Sequence, residues 1–191
     1  MLTLAPELDE FRAEFERLSA EADQLTTGLT DAQFNWHPES GGWSVAQCVE
    51  HLNTTARAYL PVVDEGIADA IRRGLYGKGP FRYNLIGRVL VRSLDAPPRM
   101  RFKAPKIFMP PPRRGRQETL AAFRAFQVQY IDRLRQANGL DLARARVSSP
   151  AAYGWLRMPL GSSFALMAAH ERRHLWQSRR ILASPGFPND I

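Results

Sequence analysis

Apolar side chains recur along this chain at steps of three and four, and no long stretch alternates at a step of two. From 4 to 29 they fall at Leu4, Leu8, Phe11, Phe15, Leu18, Ala22, Leu25 and Leu29. That spacing predicts an amphipathic helix with one core-facing stripe. A second helix is predicted over 44–73. Ser44 and Gln47 mark its start as the two halves of a capping box, and Trp43 just before it is placed to staple onto Cys48. A third helix, over about 116–137, carries Leu120, Phe123, Gln127, Tyr130 and Leu134 on one face. A fourth spans about 161–183, after a gap punctuated by Gly139 and Pro159.

The link from the second helix to the third is long. "RYNLIGRVLVRSL" reads as a short extra helix. "DAPPRMRFKAPKIFMPPPRRGR" follows and holds six prolines, too many for a regular element. Such a stretch is either a lid over a binding site or a surface crossover, and the pattern does not choose between them. Clear strand signals are absent. The fold class expected is all-α: a single domain over 1–191, built as a four-helix bundle with a long crossover between helices two and three.

Length and composition fit that picture. The chain has 191 residues with 45% hydrophobic content, enough for one sizeable core. No apolar run reaches the roughly 20 residues that span a bilayer, and the N-terminus lacks the pattern of a signal peptide. Cys48 is the single cysteine, so no internal disulfide can form; a cytoplasmic location and no membrane partner are expected. The net charge of +7 could steer anions or nucleic acid. Yet the arginines are scattered, and no nucleic-acid motif gathers them. A solvated charged surface is the simpler reading, and Arg99, Arg101 and their neighbours on the Pro-rich stretch could bind carboxylates.

Candidate chemistry gathers on the fourth helix. Residues 170–174 spell H-E-R-R-H, the H-E-x-x-H string of zinc proteases. Leu160, Ser163, Met167, His170, His174, Gln177 and Ile181 share one stripe, so both histidines lie on or beside the core face. Their Cβ atoms should be roughly 5–6 Å apart, close enough for both rings to reach one ion. A zincin needs a third ligand downstream. Only 17 residues follow His174, and their one acid is Asp190 in the tail. A third ligand therefore comes from upstream, and His51, on the flank of the second helix's stripe, is the best candidate. Glu171 then matches the protease motif by accident. It is exposed or structural, or else a supporting or general-base group.

These residues carry a resemblance. "GGWSVAQCVEHLNTTARAYL" followed by "MAAHERRHLWQSRRIL" resembles the DinB/YfiT-like superfamily of metal-binding four-helix bundles. Trp43, Ser44, His51, Leu52, His170, His174 and Gln177 fall on the family pattern, and "NWHP" at 35–38 is similar to its approach to helix two. The Pro-rich insertion at 97–114 departs from the pattern and predicts an unusual site mouth. The resemblance implies metal ligands His51, His170 and His174. It implies reactions such as thiol S-transfer, thiol-dependent isomerisation or hydrolysis, and often a homodimer. The fold alone does not fix the substrate.

The expectation is thus a metal-dependent enzyme acting on a small molecule. Zinc or nickel would sit on the three histidines, with a low-molecular-weight thiol as a further cofactor if the reaction is thiol transfer. The alternatives are a non-catalytic, stress-related metal-binding dimer and a basic nucleic-acid-binding module. Gln127, Tyr130, Glu171 and Gln177 are candidates to orient a ligand or touch substrate. Cys48 reads as a small core hydrophobe rather than a ligand. His37, before Pro38, is either solvent-exposed or at the site's entrance. Trp36 and Trp43 pack over the start of helix two.

Overall fold

The structure, a computed structural model, describes residues 3–82, 85–97, 104–152 and 156–188. Four long helices form the bundle: α1 (Pro6–Thr26), α3 (Val45–Arg72), α5 (Arg116–Gln136) and α6 (Leu160–Leu182). Two shorter helices, α2 (Asp31–Phe34) and α4 (Leu85–Leu94), lie in the connections. Helices α5 and α6 each pack against both α1 and α3, so the order round the bundle is α1–α5–α3–α6. The long crossover from α3 to α5 carries α4, which packs against α6. The described part of the Pro-rich stretch holds one 3-10 turn, Lys106–Phe108. Arg99 and Arg101 lie outside the described residues.

Local chemistry sets the boundaries. Pro6 opens α1 at its first turn, where a missing N–H costs nothing. The hydroxyl of Thr26 donates to the carbonyl of Ala22 at 2.8 Å, and Thr27 turns extended, so the helix stops before Leu29. The apolar rhythm runs on because Leu29 packs into a second, smaller cluster around Phe34, Val45, Cys48 and Ile181. The Ser44–Gln47 capping box is formed in both directions at 3.2 Å. Thr30 and Gln33 make a second one, and that box starts the short α2.

The all-α bundle expected holds, with one short ribbon added to it. Arg146–Ser148 (β1) and Arg157–Pro159 (β2) pair antiparallel. Three-residue strands are too short to show alternation in a sequence. The ribbon packs tightly on α3 at Gly66, where an added Cβ would stand 2.8 Å from the carbonyl oxygen of Arg146 and 3.0 Å from Val147. Glycine there lets the ribbon approach the helix backbone.

Several arginines pair with carboxylates. Arg172 on α6 bonds Asp95, just past α4, through both its Nε and Nη2, and reaches Glu14 on α1 at 2.7 Å. Arg72, Arg73, Arg114 and Arg179 also pair with carboxylates. No helix among the described residues is long and apolar enough to cross a membrane.

Candidate metal centre

Helices α3 and α6 bring three imidazoles together. The ring centroids of His51, His170 and His174 are 4.6–4.9 Å apart, and one nitrogen from each lies within 4.8 Å of the others. His170 and His174 meet because they are one helical turn apart. His51 comes from the facing helix, 119 residues earlier than His170. Its Nε2 is 3.1 Å from His170 Nε2, and its Nδ1 is 2.7 Å from the carbonyl oxygen of Phe108.

That second contact fixes the tautomer. A carbonyl oxygen only accepts, so Nδ1 of His51 carries the proton and donates it. Nε2 therefore presents a lone pair to the centre of the cluster. A backbone carbonyl behind a histidine is the usual support of a metal ligand. Burial drives the His51 pKa down; the Phe108 carbonyl opposes the fall and Arg173 adds to it. His170 is pushed down to about 3, first by burial and then by His51 and Arg173. His174 falls well below its ordinary value, again by burial first, with Gln177 opposing the fall. All three rings are neutral at pH 7, the form that binds a cation.

The donor set fits a metal ion. Two nitrogens held at about 2.0–2.1 Å by one ion stand roughly 3–3.5 Å apart, close to the His51–His170 separation. His174 Nδ1 is buried without a hydrogen-bond partner. Trp43 packs over the cluster, its ring 4.8 Å from that of His51 and 5.6 Å from that of His174. It belongs to the site as well as to the small cluster with Cys48.

The cluster forms one wall of a cavity of about 390 Å³ that opens at the surface. Thr55 and Tyr59 of α3, Leu166, Met167, Arg173 and Gln177 of α6, and Pro105 and Phe108 of the crossover complete much of its lining. Leu94, Ala104, Pro105 and Phe108 of the connection between α3 and α5 thus form part of the cavity wall. Among the described lining residues there is no carboxylate.

The other expected contacts are distributed differently. Gln177 does line the cavity. Gln127, Tyr130 and Glu171 do not. Glu171 lies about 100° round α6 from His170 and points into the bundle centre. There it accepts a 3.0 Å bond from the amide of Gln127. Burial raises its pKa to about 8, with the Gln127 bond lowering it. Tyr130 stacks on Phe15 at 4.9 Å, fully buried. Glu171 is therefore buried, bonded to Gln127, and outside the cavity lining. His37 is exposed and its Nδ1 meets the carbonyl of Gly42, a cavity residue, at 3.0 Å. Trp36 packs edge-on against Phe187. Cys48 is wholly buried, and burial raises its thiol pKa to about 12.

Sequence reasoning did not single out Phe108, Tyr59 or Arg173. Phe108 acts through a backbone carbonyl 57 residues from His51, which no side-chain pattern reveals. Tyr59 had a signal: it stands eight residues after His51 on one helical face.

Residues 14–178 match the DinB superfamily. The chain belongs to that superfamily. Its fold is similar to that of YfiT from Bacillus subtilis, with a TM-score of 0.60 over 96% of this chain and 90% of that one, at 15% identity. YfiT is described as a probable metal-dependent hydrolase with an unusual four-helix bundle topology. No curated protein sequence matches the chain significantly. This superfamily member thus pairs a YfiT-like bundle with a buried three-histidine cluster suited to a metal ion.

Proposed function

We propose that this protein is a metal-dependent hydrolase of a small-molecule substrate. One observation carries the reading: three neutral imidazole nitrogens converge on the wall of an open cavity. Zinc or nickel suits an imidazole donor set. A divalent ion held there keeps its full charge and open coordination positions, and can lower the pKa of a bound water to roughly 7. The chain's own groups prepare the place. Phe108 holds the His51 lone pair inward, and Trp43 covers the rings from one side. Met167, Leu166 and Phe108 give the cavity apolar walls that exclude water around a bound substrate. Arg173 adds a positive charge to the lining and favours an anionic substrate or product. The printed description of YfiT supports hydrolysis over thiol transfer. The scatter of the arginines along the chain, several of them paired with carboxylates, weighs against a nucleic-acid surface.

The test begins with elemental analysis of untagged protein, where we expect about one transition metal per chain. Turnover is then assayed on ester and amide panels, and on electrophiles supplied with low-molecular-weight thiols. Hydrolysis without thiol that disappears in His170→Ala is the expected result. Turnover only with thiol would replace hydrolysis by S-transfer. Metal without any turnover would make this a non-catalytic metal-binding protein. No metal after reconstitution with zinc and nickel would remove the reading.

A further inference from the structure

The cavity is lined by polar groups, among them the histidines and Tyr59, and by the apolar side chains of Phe108, Leu166 and Met167. His51, Thr55 and Tyr59 follow one another at steps of four along α3 and all line it. Eight residues of helix put the Cα atoms of His51 and Tyr59 about 12 Å apart along the axis. Phe108 stands between them: its ring is edge-on to His51 at 6.4 Å and stacked on Tyr59 at 6.3 Å. Leu166 and Met167 of α6 line the same cavity. The hydroxyl of Thr55 is spent on the carbonyl of His51 at 2.8 Å.

At the far end, Tyr59 Oη lies 3.1 Å from Ser149 Oγ, and both residues are buried. Two hydroxyls share that one bond. Tyr59 lines the cavity and Ser149 does not: with Ser149 as donor, Tyr59 keeps its own proton for a ligand, and with Tyr59 as donor its remaining lone pair accepts from one. Ser149 is not held there by chance. It follows β1 directly, and its backbone N–H donates to the carbonyl of Leu156 at 2.8 Å. Ala151, in the 3-10 turn Pro150–Ala152, lines the same cavity. Burial raises the Tyr59 pKa, with the Ser149 bond opposing, so the phenol stays protonated at neutral pH.

We infer that Tyr59, positioned by Ser149, is a specificity-determining residue that recognises a polar group at the distal end of an elongated substrate. The substrate class is an ester or amide of a medium-length acyl chain: its reacting carbonyl lies at the histidines, its methylenes against Phe108, Leu166 and Met167, and a hydroxyl, amide or carbonyl at Tyr59. The inference rests on the hydrolase reading above.

Two unreactive probes test it: octanoyl hydroxamate and the ω-hydroxyoctanoyl hydroxamate, titrated calorimetrically into zinc-reconstituted protein. Wild type should prefer the ω-hydroxy probe by about three- to tenfold, the worth of one net hydrogen bond. Tyr59→Phe should abolish that preference and leave zinc content unchanged. Ser149→Ala should reduce the preference by freeing the Tyr59 hydroxyl, and it serves as the second variant should Tyr59→Phe melt early. Equal binding of the two probes by zinc-loaded wild type would overturn this inference and leave the metal reading standing. So would a preference that survives in both variants. Failure to bind zinc would overturn the metal reading, and this inference with it.

Discussion

Each histidine of the cluster has a different neighbourhood, and that difference is testable residue by residue. His51→Ala, His170→Ala and His174→Ala each leave two rings, too few to fix an ion's geometry. All three should lose metal affinity by a similar, large factor in a competition titration against a coloured chelator. Glu171→Gln should bind metal like wild type, because Glu171 faces Gln127 and the bundle centre. Casein digestion should be absent in every variant and in wild type. Wild-type affinity in His51→Ala would mean the H-E-R-R-H string works without α3. Cys48 offers a second check. Its buried thiol should resist a disulfide reagent at pH 8 in the native protein and react at once in denaturant, since the thiolate is the reacting form. Rapid native reaction would contradict its burial.

At the scale of elements, the close packing of the ribbon and the ion pairs between helices are testable one substitution at a time. Gly66→Ala sets a methyl against the Arg146 carbonyl, so the ribbon must shift or strain. A loss of about 1–3 kcal/mol is expected from such overpacking, read from denaturant unfolding. A neutral result would show that the ribbon gives way freely. Glu14, bonded within α1 to Arg17 and across to Arg172 on α6, should make stability depend on pH. Glu14 is held down to about 2 from an ordinary 4.5, mainly by its bond to Arg17; burial opposes this, and Arg172 assists. A carboxylate with a depressed folded pKa contributes stability above 4.5, and that contribution is lost as pH falls from 4.5 through 2. Glu14→Gln should therefore melt lower than wild type at pH 7, with the gap closing toward pH 2 to 3. A gap that stays constant with pH would assign the effect to packing instead.

For the whole molecule, bundle and site stand or fall together. Metal that binds only the folded state stabilises it by mass action, about 2.7 kcal/mol at a hundredfold excess over Kd. Zinc should raise the melting temperature of wild type, a chelator should reverse the rise, and His170→Ala should show neither effect. A zinc-induced shift that persists in His170→Ala would place the ion elsewhere.

The four long helices were legible in the sequence because amphipathic periodicity is local: Phe11 and Phe15, or Leu120 and Phe123, show their face whatever packs on it. So was the pair His170 and His174, since a four-residue spacing is a spatial contact in any helix. The Ser44–Gln47 cap was readable for the same reason. What the tertiary structure alone decided depends on groups far apart in the chain or carried by the backbone. The Phe108 carbonyl that sets the His51 tautomer has no side-chain signature. The Tyr59–Ser149 bond spans 90 residues and hangs on a ribbon too short to show alternation. Glu171 shows the limit from the other side. Its motif promised chemistry, but one residue of helix turns a side chain by about 100°, and that rotation carried it out of the cavity and into the core.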